Sequence, residues 1–291
     1  MEDLYYSLLE RFVASVEVMD PAGLERVAGR PLLFLANHQT GLESLLFSIV
    51  ASSLARTPTL TLAKMEHRQS WLGRLIAACF SYPGVRDPGV IAHFDRQDPQ
   101  SLPAVIQSLA RSATKESKSL LVHVEGTRAL TCRTPIAKLS GVFADLAIRV
   151  GMPIVPVRFT GGLPVEPLAE RTEFPVGYGR HTYWLGTPIM PEDLGKLTYK
   201  QRIATLSEAI DALGPSHDAE EPSGGDRALG LRVEAIRQAC GLQEPFATLV
   251  AVLEGRQELH EETKALVAAV SKGGPRTTAW VEGMVRVMGE A

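Results

Sequence analysis

A mostly parallel α/β sheet flanked by helices, with a helical appendage behind it, is the fold class this sequence predicts, and two observations predict it. Between residues 31 and 213, short apolar runs alternate with longer amphipathic stretches. That strand-then-helix rhythm is what a parallel sheet with crossover helices requires. The alternation argues for a mostly parallel, buried sheet. Residues 215–226, PSHDAEEPSGGD, then break the pattern with Pro, Ser, Gly and acids and no apolar period, which reads as a linker.

The elements follow in order. Leu4, Leu8, Leu9, Phe12 and Val16 fall at helical spacing, so residues 2–16 are expected to form a helix. PLLFLA (31–36) is expected as a strand, 42–55 as a helix, TLTLA (59–63) as a strand, 71–80 as a helix and VIAHF (90–94) as a short strand. A helix over 100–113, a strand over 119–124, a helix over 138–151 and a strand over 153–159 come next. The prolines around PIVPVRF place that last strand at an edge or in a site wall rather than in an interior ladder. HTYWLG (181–186) adds a strand and 199–213 a closing helix. After the linker, Asp226 is placed to cap a helix carrying Leu229, Val233, Ile236 and Cys240 on one face, and helical stretches continue through 246–271 and beyond Pro275. The expected domains are therefore 1–214, a linker over 215–226 and an appendage over 227–291.

Composition narrows the function classes. A hydrophobic fraction of 45% and a charged fraction of 22% are those of a folded globule. A net charge of −3 gives no electrostatic footprint for nucleic acid. The three cysteines, Cys79, Cys132 and Cys240, are far apart and lack metal-ligand spacing, so free thiols and no metal site are expected. The start MEDLYYSLLERF has no basic region before an apolar run, and no apolar run reaches the roughly 18 residues of a membrane span. A cytoplasmic protein is the expectation.

Four blocks carry chemistry. Asn37 and His38 follow the first expected strand, and Glu43 comes five residues after the histidine, in the first turn of the next helix. A carboxylate there can accept the proton of one ring nitrogen and leave the other to take a proton from a hydroxyl. The second block is VHVEGTRA (122–129), where a strand runs into Glu125, Gly126, Thr127 and Arg128 at the sheet's carboxyl edge, the edge at which open α/β sheets bind ligands. Gly126 permits a tight turn, Thr127 offers a hydroxyl, and Arg128 offers a planar donor fork suited to phosphate. HFDRQD (93–98) places Arg96 after another short apolar run, and GMPIVPVRF (151–159) is the fourth block. His123 reads as a satisfied interior residue. Ser44 and Ser140 sit in no Gly-x-Ser-x-Gly elbow, which disfavours a serine hydrolase.

In this order the blocks resemble the glycerolipid acyltransferase superfamily, the lysophosphatidate and glycerol-3-phosphate acyltransferases. NHQTGLE stands where that family carries Asn-His, four residues and an acid; HFDR, VEGTR and MPIVPV resemble its later blocks, and KLSGVFADLAIRVG its Lys-x-x-Gly stretch. The resemblance spans roughly residues 30–190 and implies an acyltransferase domain over 1–214. It implies that His38 is the general base and Glu43 its orienter. Arg96 and Arg128, with Lys138, would hold the acceptor phosphate, while Glu125 orders the arginine loop or the acceptor. The donor would be an acyl-coenzyme A or acyl-carrier-protein thioester, which is a substrate, so no cofactor is implied. The acceptor would be of glycerophospholipid type, with peripheral membrane contact through residues 2–16, 42–55 or 71–80.

Two departures stand out. The family's acid is Asp where this chain has Glu43, one methylene longer, and Val124 replaces its proline. A small helix shift can absorb the extra length, which leads to the expectation that Glu43→Asp retains or improves turnover. Three function classes follow: a phospholipid-forming acyltransferase, an acyltransferase that unloads a carrier protein in a polyketide or polyunsaturated fatty acid pathway, and a non-catalytic acyl-binding module.

Overall fold

The computed structural model describes residues 13–69, 91–98, 100–242 and 244–254. The expected helices over 71–80 and beyond Pro275, and most of the expected helix over 2–16, lie outside these residues.

The chain divides into two compact units, one of residues 15–64 and 89–224, the other of residues 1–14, 65–88 and 225–291. The first holds a seven-stranded sheet. Its strands are β1 (Val16–Met19), β2 (Leu33–Ala36), β3 (Thr59–Lys64), β4 (Ile91–Phe94), β5 (Ser119–His123), β6 (Ile154–Thr160) and β7 (His181–Leu185), in the spatial order β1-β7-β6-β2-β5-β3-β4. Five neighbours, β6-β2-β5-β3-β4, run parallel, while β7 is antiparallel to β6 and pairs in parallel with β1. The sheet is therefore mostly parallel with helices on its faces, as expected.

Burial explains the apolar runs. Every residue of β2, β5 and β6 is buried, because helices cover both sheet faces. On one face Leu33, Leu35, Leu120, Val122 and Ile154 pack with residues of α2 (Ser101–Lys115), α3 (Val142–Val150) and, after the short α4 (Pro191–Gly195), α5 (Tyr199–Asp211). On the other, Phe34 meets Phe47 of α1 (Glu43–Ala55) edge-on at 5.4 Å, and Phe47 in turn meets Phe159 and Tyr183. Edge-to-face contacts of this kind add roughly 1 kcal/mol each beyond burial.

Two local expectations are corrected. Val16 begins strand β1 rather than ending a helix, since Val-Glu-Val-Met alternates with the period of a strand and pairs with His181–Trp184. The proline-bearing segment 153–159 is not an edge: β6 lies between β7 and β2. Pro156 fits because its nitrogen faces β7 where the ladder slips. Val157 is opposite Leu185 but Ile154 is opposite Ile189, four residues against three. A bulge is the place where an interior strand tolerates a missing N–H.

Residues 215–224, despite their linker composition, carry the buried Glu220 and belong to the sheet unit. In the second unit α6 (Arg227–Cys240) is capped by the Asp226 side chain, which accepts from Leu229 N, and it packs on α7 (Glu244–Glu254).

Candidate active site

Because β2, β5, β3 and β4 are parallel, the loops after them emerge at one edge of the sheet. Asn37 extends the β2–β6 ladder with its side chain. Its amide donates to Phe159 O at 3.0 Å and its carbonyl accepts from Phe159 N at 2.7 Å. The chain is thereby pinned at the residue before His38.

His38 Nδ1 lies 2.6 Å from Glu43 Oε1, and the same oxygen accepts from Gln39 N at 2.6 Å. Glu43 is wholly buried at the start of α1, whereas the His38 side chain keeps 15% of its surface exposed. Burial pushes the Glu43 carboxyl up from its ordinary range; His123, His181 and the Thr40 and Gln39 amides pull it down less strongly. Glu43 Oε2 has no hydrogen-bond partner among the described residues.

His123, at the end of β5, stacks on His38 with ring centroids 3.7 Å apart and planes 18° apart. The carbonyl of Asn37 can only accept, so His123 Nδ1 donates to it at 2.7 Å, and Nε2 accepts from Ser44 Oγ at 2.7 Å. The ring is thus a satisfied interior histidine, as its strand context suggested, and also the platform under His38. His38, Glu43 and His123 bring ligand atoms within 4.8 Å of one another. Stacked imidazoles aim their in-plane lone pairs past each other rather than at a shared ion, and both His123 nitrogens are bonded.

The arginine loop meets this cluster through its backbone: Ala129 N donates to His38 O at 2.8 Å. Gly126 has φ 63°, the left-handed turn that its lack of a side chain allows, and its N–H closes on His123 O. Arg96, exposed after β4, donates to Gly126 O at 2.8 Å, which joins the second and third sequence blocks. Arg128 Nη1 donates to Thr172 O at 2.5 Å and pairs with Glu173 Oε1 at 2.8 Å. Thr172 and Glu173 also accept from the backbone N–H groups of Gly41 and Leu42. A Cβ at Gly41 would meet the ends of the Glu173 and Arg128 side chains, so a larger residue there would push that ion pair aside. Thr127 is half-buried on the loop. Glu125 turns toward Ala137, whose N–H it accepts at 3.3 Å, and burial raises its carboxyl. Lys138 is exposed in the coil ahead of α3 rather than at a helix start.

Sequence reasoning missed Gln39, Thr172, Glu173 and the bonding of Ser44. Only Gln39, inside the NHQTGLE block, stood where a motif could have flagged it.

The His123 geometry has a consequence for stability. Burial first, then the neighbouring His38, depresses its pKa from 6.5 to about 3, against the opposing pull of Glu43 and the Asn37 carbonyl. The folded ring stays neutral at pH values where the unfolded ring takes a proton. Its contribution to stability is present above pH 6.5 and is lost as the pH falls from there toward about 3. The slope reaches roughly 1.4 kcal/mol per pH unit. Denaturant midpoints at pH 7 and pH 5 are expected to fall more steeply in the wild type than in His123→Gln. Equal slopes would contradict the buried neutral ring.

The family model described as Acyltransferase matches residues 16–160, about half of the chain, from β1 through β6. A search of the curated proteins found no match. The matched span holds His38, Glu43, Arg96 and the 125–128 loop on one sheet, and the chain belongs to the acyltransferase family, the glycerolipid superfamily its blocks resemble, as an enzyme that transfers acyl groups.

Proposed function

We propose that the chain moves a fatty acyl group from a thioester of coenzyme A or an acyl-carrier protein to a hydroxyl of a glycerophosphate-type acceptor, such as lysophosphatidate, with His38 as general base. The observation that carries this reading is the 2.6 Å bond from His38 Nδ1 to a wholly buried Glu43 carboxylate. An ionised carboxylate only accepts, so Nδ1 holds the proton and Nε2 the lone pair. Nε2 takes the acceptor's proton as its oxygen attacks the thioester carbonyl. The C–S bond then breaks, the thiolate leaves and is protonated, and an ester remains. The imidazolium formed on the way faces the Glu43 carboxylate at 2.6 Å, and attraction at that distance in a buried setting offsets part of the cost of both charges.

Arg96 and Arg128 supply donor forks for the acceptor phosphate, with Lys138 as a further cation and Gly126 and Thr127 shaping the loop. Arg128 already grips an anion, Glu173, for which a phosphate can exchange. Arg128→Ala is expected to raise the acceptor KM about tenfold or more while changing kcat less, since charge-assisted bonds are each worth roughly 1.5–3 kcal/mol. Steady-state kinetics with varied lysophosphatidate checks this.

Among the described residues no helix is long and apolar enough to cross a membrane. An amphiphilic acceptor and product call for peripheral contact with a lipid surface, consistent with a role in phospholipid biosynthesis. The test is thiol release and lipid product from the purified chain given palmitoyl-coenzyme A or palmitoyl-carrier protein with lysophosphatidate. Turnover of lysophosphatidate supports the proposal. Turnover confined to the carrier-protein donor and other alcohols favours the unloading reading. No turnover with any pair leaves a binding module.

A further inference from the structure

A buried polar chain leads away from Glu43 to the end of the sheet unit. Gln39, whose N–H holds Glu43 Oε1, has its side-chain amide bonded at both ends: Nε2 donates to Glu220 Oε1 at 2.6 Å, and Oε1 accepts from Gly162 N at 3.0 Å. Glu220 Oε2 pairs with Arg158 Nη2 at 2.6 Å. Arg158 Nη1 donates to the carbonyls of Asp211, Leu213 and Pro215 at 3.1, 2.7 and 2.7 Å. An arginine only donates, so His217 Nδ1 accepts from Arg158 Nη2 at 3.2 Å, and His217 Nε2 donates to Asp211 Oδ1 at 3.1 Å. Gln39, Glu43, Arg158 and Glu220 are each at most 2% exposed.

We infer that Glu220, acting through Gln39, is a positioning residue for the Glu43–His38 pair, so that the segment from Asp211 to Glu220 forms part of the active site's support. The inference rests on the proposed role of His38. Its physical basis is that Gln39 offers two groups at fixed spacing: a backbone N–H for the Glu43 carboxylate and a side-chain amide for Glu220. With the amide clamped between Glu220 and Gly162, residue 39 cannot rotate, and the N–H stays aimed at Oε1. The Arg158 guanidinium fixes Glu220 in turn, and its three backbone carbonyls fold the 211–215 turn onto the sheet. Proline, serine and acidic residues, which composition alone assigns to a spacer, here carry a buried ion pair that ends at the catalytic dyad.

The test uses the full chain and two shape-conserving variants, Glu220→Gln and the double swap Gln39→Glu/Glu220→Gln, of which the second also keeps the net charge. In Glu220→Gln an amide N–H₂ faces the Gln39 N–H₂ and the link is broken. In the double swap, residue 39 accepts from both Gly162 N and residue 220, whose carbonyl still accepts from Arg158, so the hydrogen bonds of the chain are restored while the negative charge moves from residue 220 to residue 39. With palmitoyl-coenzyme A and lysophosphatidate, Glu220→Gln is expected to lose about tenfold in kcat per folded molecule with both KM values within about twofold, the size of effect a small misalignment of a base produces. The double swap is expected to recover most of it. The far-downfield proton NMR signal of the short His38–Glu43 bond is expected to shift or broaden in Glu220→Gln and return in the swap. That signal needs no turnover, so an inactive wild type that still shows it refutes the function proposed above without touching this inference. If Glu220→Gln does not fold, Gln39→Met, which keeps the Arg158–Glu220 pair, carries the same comparison. Unchanged kcat and an unchanged proton signal in a folded variant, a loss of rate matched by loss of folded protein alone, or failure of both single variants to fold would overturn the positioning role.

Discussion

His38→Ala is expected to lower acyl-thioester turnover by about a thousandfold, within the range usual for loss of a general base. The acceptor hydroxyl is a poor nucleophile until its proton has somewhere to go. In the proposed mechanism that place is Nε2, because Nδ1 is committed to Glu43 at 2.6 Å. The KM values are expected to move little, since the alanine removes a group that acts in the transition state and leaves Arg96 and Arg128 in place. Thiol release at saturating donor and acceptor is the measurement. A His38→Ala rate within a few-fold of wild type would leave the ring without a catalytic role.

Glu43→Asp comes next in size, and here the structure reverses the expectation drawn from sequence. The longer side chain needs no helix shift to be accommodated: Glu43 Oε1 already meets His38 Nδ1 and Gln39 N, each at 2.6 Å, from the first residue of α1. Removing one methylene withdraws the carboxylate by roughly 1.5 Å. Neither bond spans that gap, and the buried start of α1, with Leu45, Leu46 and Phe47 packed behind it, resists moving to close it. A loss of tenfold to about a hundredfold in kcat follows, alongside a lower melting temperature from the opened space. Wild-type rates in Glu43→Asp would show that the loop adapts to either acid.

Much of this was legible in the chain itself. Strands β2 and β5 could be read because each carries an apolar run that ends at a chemistry-bearing loop, and α2 and α3 because their apolar residues recur strongly at helical spacing. Strand β1 escaped: four residues at a sheet edge, one of them the charged Glu17, give little signal beside a stronger helical pattern upstream. Pro156 misled because proline normally disfavours an interior strand, and a one-residue register slip cannot be read from one strand alone. At the site, His38, Glu43 and the Glu125–Arg128 loop were legible as local motifs. The stack of His123 on His38, the pairing of Arg128 with Glu173 and the Glu220–Arg158 ion pair join residues 85, 45 and 62 positions apart, and no local pattern encodes such contacts. Residues 215–224 show the same limit. Their composition reports low apolar content, and it is silent about a single buried carboxylate.

If His38 acts as proposed, as a base toward the acceptor hydroxyl, it forms no covalent bond to the acyl group. The most direct measurement mixes the wild-type chain with palmitoyl-coenzyme A in the absence of acceptor, follows thiol release in the first turnover, and weighs the acid-quenched protein by mass spectrometry. No stoichiometric burst and an unmodified protein mass are expected, with release beginning only when lysophosphatidate is added. A burst of one thiol per chain with an acyl group on His38 or on Ser44 would contradict the proposed role.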